Sequence, residues 1–413
     1  MHDRQLARRL NLYGQALRRR ARGLVGCGLL IVGGWTLPAQ AGYGVYSHGY
    51  GIKSLGYAGM AYTLAEDSYT LAQNPAGAAV MNDRFDFGLD VELALPKASI
   101  RDNLFGADNS YHSEANLFPI PQVGAVKALS DRLSIGTTAF FAGFGADYRR
   151  SPYERFGGDR RITLSLAQIG VTGALSYMVS PGQALGIATN LSYQELDVKG
   201  AQVFASMSQD PQHFSNQGKD GTPGIGFTLS WMGALTPALT GGIGYRSRTW
   251  SGRFKEYAGL LPDRGRLDLP QQFGGGLSWE FVPRWMVAAE FQRVFYSSEA
   301  ATGNSFGGNL FGEPLGSKKG PGFGWDSQNV YRLGLAHQVF PSLILRAGYI
   351  YGTQIKQPSQ NLLGALAPLV GRRNYTLGAT WRWSPDWEVS GYTGMGPKSS
   401  LRGEGSIPLL LGG

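Results

Sequence analysis

Phe85-Asp86-Phe87-Gly88-Leu89-Asp90-Val91-Glu92-Leu93 decides the fold. Every odd position is apolar and every even position is polar or glycine. Side chains of a β-strand alternate between two faces, so this stretch has one apolar and one polar face. The same period returns along the chain. Phe273, Gly275, Leu277, Trp279 and Phe281 alternate with Gln272, Gly274, Gly276, Ser278 and Glu280, and Tyr375, Leu377, Ala379, Trp381 and Trp383 alternate with Thr376, Gly378, Thr380 and Arg382. Similar stretches lie near 133–146, 184–200 and 343–353. A soluble β-sandwich would also alternate. Two features favour a membrane barrel: many segments exceed the usual five or six residues of a soluble strand, and several carry Trp or Tyr near their ends, as an interfacial girdle does.

The connections add to this. Ser130-Asp131-Arg132, Ser180-Pro181-Gly182, Thr236-Pro237-Ala238, Val282-Pro283-Arg284, Phe340-Pro341-Ser342 and Ser384-Pro385-Asp386 mark tight turns. Between them lie long polar or glycine-rich stretches near 97–115, 147–160, 201–222, 254–267, 298–324 and 354–371. An outer-membrane barrel sorts its loops this way, with short periplasmic turns and long outer loops. The expected strands number thirteen: 84–96, 117–129, 133–146, 161–179, 184–200, 223–235, 239–253, 268–282, 285–297, 325–339, 343–353, 372–383 and 387–395. The fold class is therefore all-β, an antiparallel transmembrane β-barrel.

Composition agrees. Of 413 residues only 16% are charged, while 61 are glycine and 12% aromatic. That is the opposite of a disordered chain. At 43% hydrophobic residues, the chain has no room for repeated apolar spans of about 20 residues each. The net charge of +9 comes largely from residues 1–41, which hold seven arginines and a single acid, Asp3. The remainder carries no nucleic-acid footprint.

Those first residues read as an export signal. Arg18-Arg19-Arg20-Ala21-Arg22 precedes an apolar run from Leu24 to Leu37, and Pro38-Ala39-Gln40-Ala41 supplies small residues for cleavage after Ala41. The single cysteine, Cys27, lies inside this run. A mature chain would then have neither disulfides nor thiolate chemistry.

Residues 42–80 do not alternate. They are rich in small residues and contain Asn74 followed by Pro75, which reads as a helix start with a side-chain acceptor at the N-cap. A barrel of about fourteen strands is too wide for its own side chains to fill, and this compact segment is suited to plug it.

The arrangement resembles the FadL-type family of outer-membrane transporters for long-chain fatty acids and aromatic hydrocarbons. The most specific block is Gly51 to Gly77, similar to the family's small-residue N-terminus with its Asn-Pro-Ala signature, here Asn74, Pro75 and Ala76, followed by Gly77. Weaker blocks are Gly244-Tyr245-Arg246-Ser247, Leu269-Pro270, Trp325-Asp326, Arg332-Leu333-Gly334 and Leu345-Arg346-Ala347-Gly348-Tyr349. The resemblance implies a fourteen-stranded barrel with an N-terminal hatch in the lumen. It implies passive uptake of hydrophobic molecules by hatch movement, with sideways release where the third strand is kinked. Gly143 and Gly145 are the candidates for that kink; ordinary glycine in a curved strand is the other reading. The domains expected are a signal peptide (1–41), a hatch (42–80), the barrel (81–395), and an outer loop with an incomplete last strand (396–413). Parity makes strand thirteen run outward, so residues 406–413 are too short for a closing strand of about 9–11 residues, and the chain is expected to stop one strand early.

Leu104, Phe105, Phe118, Leu310, Phe311, Leu362 and Leu363 are apolar for loop positions. They read either as a capture surface for a hydrophobic ligand or as loop packing. Lys318-Lys319 and Arg149-Arg150 read as solvated loop charges or as a means of attracting anionic lipopolysaccharide or a ligand carboxylate. The five histidines have no metal-ligand spacing, so no metal or cofactor is expected. Gly303-Asn304-Ser305-Phe306-Gly307 matches G-x-S-x-G but lacks a strand before it and a helix after it, so the chain is not read as an enzyme. The expected partners are a hydrophobic small molecule, outer-membrane lipid and lipopolysaccharide, with the chain itself a monomer. A structural or adhesive barrel that binds a partner through its loops is the alternative.

Overall fold

A computed structural model describes residues 44–100, 109–306 and 312–406. Residues 1–41 with Cys27, the loop positions Leu104, Phe105, Leu310 and Phe311, and residues 407–413 lie outside the described residues.

The strands in chain order are β1 (Arg84–Leu93), β2 (Lys97–Ile100), β3 (Asn109–His112), β4 (Leu117–Ala128), β5 (Leu133–Tyr148), β6 (Ile162–Ser180), β7 (Gln183–Lys199), β8 (Asp220–Thr236), β9 (Leu239–Arg246), β10 (Trp250–Ser251), β11 (Gln272–Val282), β12 (Trp285–Val294), β13 (Gln328–Phe340), β14 (Leu343–Gly352), β15 (Arg373–Arg382) and β16 (Glu388–Met395). One antiparallel meander runs β1-β4-β5-β6-β7-β8-β9-β11-β12-β13-β14-β15-β16. Each of the thirteen expected strands appears in it. Among the described residues no helix is long and apolar enough to cross a membrane.

Two local expectations are corrected. The strand expected over 239–253 is interrupted after Arg246 and resumes as Trp250–Ser251, which pairs with Ile225 and Gly224 of the same β8 with its register shifted by one residue. The Ser247 hydroxyl accepts the Phe227 N–H at 2.9 Å and draws the chain off its ladder. The loop near 97–115 also contains a small hairpin, β2 with β3.

The tight turns follow from their residues. In Ser180-Pro181-Gly182-Gln183 and Val282-Pro283-Arg284-Trp285, proline presets the first central residue. The second, Gly182 or Arg284, has φ of 76° or 72°, as a type II turn requires.

The outer face is apolar. Ile187, Leu191, Leu229, Ile243, Leu333 and Leu377 point away from the interior, and Trp279, Trp381, Trp383 and Trp387 stand exposed near the short turns. Tyr193, Trp250, Tyr331 and Tyr375 are exposed toward the long loops. This is an aliphatic band between two aromatic girdles.

The inner face curls round residues 44–81. Ser68 is held by Asp86 of β1 and packs on Gly124 of β4, and Leu71 lies over Gly136 of β5. Ala76 bonds to Ser176 of β6 and Ser230 of β8 and rests on Gly186 of β7. Tyr62 packs on Gly242 of β9 and Gly274 of β11. Glu290 of β12 accepts the N–H groups of Ala61, Tyr62 and Thr63. Arg332 of β13, Arg346 of β14, Thr376 of β15 and Glu388 of β16 reach His48, Glu66, Ala58 and Lys53. All thirteen strands thus touch the one segment, so the sheet encircles it. Glycine makes this possible: a Cβ on Gly242 would stand 1.8 Å from the Tyr62 carbonyl oxygen, and one on Gly186 would stand 2.1 Å from the Ala76 nitrogen. Among the described residues β1 and β16 share no ladder. Arg84 and Glu388 meet at 3.0 Å between them, and Tyr392 donates to Asp90.

Candidate ligand path

Inward-facing residues change character along each strand. On β6 they run Ile162, Leu164, Leu166, then Gln168, Gly170, Thr172. On β7 they run Val198, Leu196, then Gln194, Ser192, Asn190. Register puts Leu166 opposite Leu196 and Gln168 opposite Gln194, so the change occurs at one level round the wall. The outer part of the lumen is apolar and the middle is polar.

The apolar part is completed by the long loops. Phe204, Phe306 and Phe323 fold in against Leu166, Leu196 and Phe144 of the wall. Phe144 packs edge-on to Phe323 at 6.2 Å and tilts on Trp325 at 5.8 Å. They leave an apolar cavity of about 40 Å³. A cavity of about 150 Å³ accommodates benzene, so this one is too small for such a molecule as it stands. One cation adjoins this layer. Lys356 donates to the Gly364 carbonyl at 2.9 Å, and burial lowers its pKa to about 7.

The wall beside the cavity is split. β5 pairs with β6 along its whole length, from Leu133 opposite Tyr177 to Tyr148 opposite Ile162. On its other side it pairs with β4 only from Ser134 to Ala139. Contact resumes where Tyr148 bridges Ser113 and the Asp147 carbonyl accepts the Glu114 N–H at 2.8 Å. Between these points residues 140–146 face 115–122 without a ladder. β4 explains this. Leu117-Phe118-Pro119-Ile120-Pro121 pairs fully with β1, so the two prolines, which have no N–H, must turn that lack toward β5. Gly143 and Gly145 lie on the unpaired stretch. Gly143 has φ of 146°, and a Cβ there would stand 2.2 Å from the Leu166 carbonyl oxygen.

Below the cavity a polar belt crosses the wall. Thr172 donates to Asn190 and Asn190 to Thr228, both at 2.8 Å. Thr228 lies opposite Arg246, and Arg246 opposite Gln272. Gln292 donates to Gln272 at 2.5 Å, and Arg332 to Gln292 at 2.6 Å. All are buried.

The encircled segment packs against the inner wall. Asn74 stands before a single 3₁₀ turn, Pro75–Ala79, and makes no side-chain cap. This corrects the N-cap expectation: its amide instead donates to the Ala61 and Tyr62 carbonyls at 3.1 and 2.8 Å, tying two passes of the segment together. Pro75, Ala76 and Gly77 form the turn that rests on β6, β7 and β8. Arg346 makes a two-pronged pair with Glu66, both bonds 3.0 Å. Burial pushes the Glu66 carboxyl up, but Arg346, Lys53 and Arg84 hold it below its ordinary value. Burial first, and then the Asp86 charge, lift Asp67 to about 7. Burial and Arg332 lower His48 to about 4.

The described candidates for a capture surface lie elsewhere than on a loop exterior. Phe118 is a half-buried residue of β4 at the edge of the split. Leu362 is buried in the apolar layer, and Leu363 lines the cavity. Gly303 ends a helical turn, Ala300–Gly303, so Ser305 has no strand-to-helix elbow. Sequence reasoning missed Phe144, the polar belt and the prolines of β4. Pro-x-Pro inside an alternating strand was the available signal.

Comparison with known proteins matches this architecture. A family model described as outer membrane protein transport protein (OMPP1/FadL/TodX) matches residues 39–400. No curated protein matches the sequence. Similar solved structures include the P. putida toluene transporter TodX, at 19% identity and TM-score 0.64 over 83% of this chain and 91% of that one. A Pseudomonas aeruginosa FadL homologue is similar at 16% and 0.60 over 86% and 90%, and the Ralstonia pickettii toluene transporter TbuX at 16% and 0.58 over 83% and 92%. At these identities the likeness is one of fold. The chain belongs to the OMPP1/FadL/TodX family of outer membrane transport proteins, which are channels and not enzymes.

Proposed function

We propose that this chain carries hydrophobic small molecules, long-chain fatty acids or aromatic and aliphatic hydrocarbons, passively across the outer membrane. The outer loops and cavity take up the molecule, and it leaves sideways between β4 and β5. The observation that carries this reading is the coincidence of cavity and split: Phe144 lines the first and stands on the unpaired stretch of the second. An apolar molecule moving inward next meets a buried polar belt, where it has no favourable site, while the split opens toward lipid. The encircled N-terminal segment acts as a hatch, with Asn74 to Gly77 as its inner latch. Signal cleavage after Ala41 would deliver the chain to the outer membrane.

The test is uptake of toluene and of a long-chain fatty acid by a strain deleted for this protein, with and without the restored gene. Restored uptake of either supports the proposal. Unchanged uptake of both, with lost surface binding of a partner, favours an adhesive or structural barrel.

A further inference from the structure

The wall is taller on one side. β6, β7 and β8 have 19, 17 and 17 residues, whereas β12, β14 and β15 have 10 each. A tilted strand needs about 9–11 residues to cross the hydrocarbon, so only the first group stands well clear of it. On β7 the outer girdle is marked by Tyr193, opposite Ile169 of β6, and the strand runs on from there to Lys199. That continuation is about 20 Å of strand, enough to carry its end through the headgroup layer.

A cation stands at the outer end of each of four consecutive strands. Arg149 follows β5, Arg161 precedes β6, Lys199 ends β7 and Lys219 precedes β8. Each is paired with an acid, and in each pair the cation is the more exposed partner. The Arg161 side chain is 61% exposed and bonds Asp147, 18% exposed, through two nitrogens at 2.9 and 2.6 Å. Lys199 is 55% exposed and Asp197 12%, at 2.9 Å. Lys219 meets Glu195 at 2.7 Å, and Arg149 meets Glu114. The acids thus lie against the wall and hold the cations up from it. Exposed pairs of this kind add little to stability, and Arg161 uses only two of its five N–H donors on Asp147.

Register places this row on the lipid side. Thr163 of β6 lies opposite Lys199, exposed Ser165 opposite Asp197, and exposed Ala167 opposite Glu195. Directly below come Tyr193, Ile169, Leu191 and Ile225, all exposed. The cations therefore face sideways at the rim of the apolar band. A soluble polyanion would gain nothing from the apolar surface beneath them. A lipid with phosphates at its head and several acyl chains matches both levels at once, and the glycolipid of the outer leaflet, through its lipid A part, is such a molecule.

We propose that the outer ends of β5 to β8 dock the phosphorylated glycolipid of the outer leaflet, with its phosphates on Arg149, Arg161, Lys199 and Lys219 and its acyl chains on the apolar face below. The tall side of the wall then has a fixed lipid neighbour beside the split, on the β5 side. Only residence in the outer membrane is needed, so this inference stands or falls apart from the transport reading.

The test is native mass spectrometry of the purified full-length protein in detergent with added diphosphoryl lipid A, monophosphoryl lipid A or phosphatidylglycerol. Wild type should retain the diphosphoryl form at least about tenfold more tightly than either of the others. Arg161→Gln combined with Lys199→Gln should remove that preference. Lys127→Gln combined with Arg132→Gln, two exposed cations at the opposite end of the barrel, should keep it. Wild type supplies a second measurement free of any folding change: its preference should collapse between about 50 mM and about 1 M salt, where the screening length falls to about 3 Å. Equal retention of the three lipids, a preference that survives in the Arg161/Lys199 variant, equal loss in the opposite-end control, or a preference that salt leaves untouched overturns the proposal. Displacement by inorganic phosphate beyond that by chloride at equal ionic strength means a free-anion site only and overturns it too.

Discussion

Glu290 shows how single residues hold the N-terminal segment. Its carboxylate accepts three consecutive backbone N–H groups, from Ala61, Tyr62 and Thr63, and the Thr63 hydroxyl. Glu290→Ala leaves those donors buried and unpaired, which costs about 3 kcal/mol or more. The variant should release residues 44–81 to limited proteolysis under conditions where wild type is resistant; equal resistance would show that the bonds do not hold the segment. Asn74→Ala, with two bonds lost, should do the same more weakly, by about 2 kcal/mol. The sequence marked Asn74 but implied the wrong job for it. An Asn-Pro pair reads locally as a cap, whereas both partners of its amide lie twelve and thirteen residues earlier and become visible only once the segment folds back. Glu290 carried no signal, since one acid in an alternating strand does not reveal what faces it.

Two buried groups of the segment set an opposed pH dependence. Asp67 rises from 3.8 to about 7, so across that window the folded state holds a proton that the unfolded state releases, and stability falls as pH rises. His48 drops from 6.5 to about 4, so its contribution is full above 6.5 and lost as pH falls toward 4. From about 4.5 to 6.5 the slopes oppose, each at most about 1.4 kcal/mol per pH unit. Glu66, held below its ordinary 4.5, adds loss only at lower pH. Over pH 4.5–6.5 protease protection of the segment should therefore depend less on pH in wild type than in variants that lack one of the two groups. It should rise with pH in Asp67→Asn and fall with pH in His48→Gln; parallel profiles in all three would refute the assignment.

Among the elements, β4 and β5 carry the most consequence. Alternation made both legible as strands, because each has a lipid face and a lumen face. Alternation says nothing of which neighbour a strand bonds along its length, so the split stayed hidden behind a glycine argument about β5 alone. The cause lies equally in β4, where Pro119 and Pro121 face outward and withhold two donors. Replacing both with Val restores the N–H groups and keeps the lipid face apolar. The double variant should extend the β4–β5 ladder past Ala139, seen as slowed amide exchange at residues 140–146, and should lower hydrocarbon uptake. Exchange that is not slowed, with unchanged uptake, would mean that the prolines do not keep the split open. The β9 break was hidden for a related reason: Ser247-Arg248-Thr249-Trp250 keeps an alternating look while the chain slips by one residue against β8.

At the scale of the molecule the sheet and the segment need each other. A wall of thirteen strands spans a lumen wider than its inward side chains can fill, and many of those side chains are glycine, alanine or serine where the segment passes. Gly186 and Gly242 admit backbone within contact distance, so the segment is built into the wall's surface and is not a loose stopper. The wall's outer face has its own aliphatic band and girdles, and its ladders do not run through the segment. Deleting residues 44–80 should therefore leave a barrel that still shifts on gels upon heating, but with its lumen open below the polar belt. That lumen is lined by Ser176, Ser230, Glu290, Arg346 and Thr376, a wetted surface that favours ions once the segment is gone. In planar bilayers the deletion should conduct steadily where wild type is nearly silent, and conductance should fall again when the segment is supplied as a peptide. A deletion that folds but stays silent would mean that the outer loops, packed round Phe204, Phe306 and Phe323, seal the lumen without the segment. The barrier to solutes would then lie at the cavity and not at the hatch.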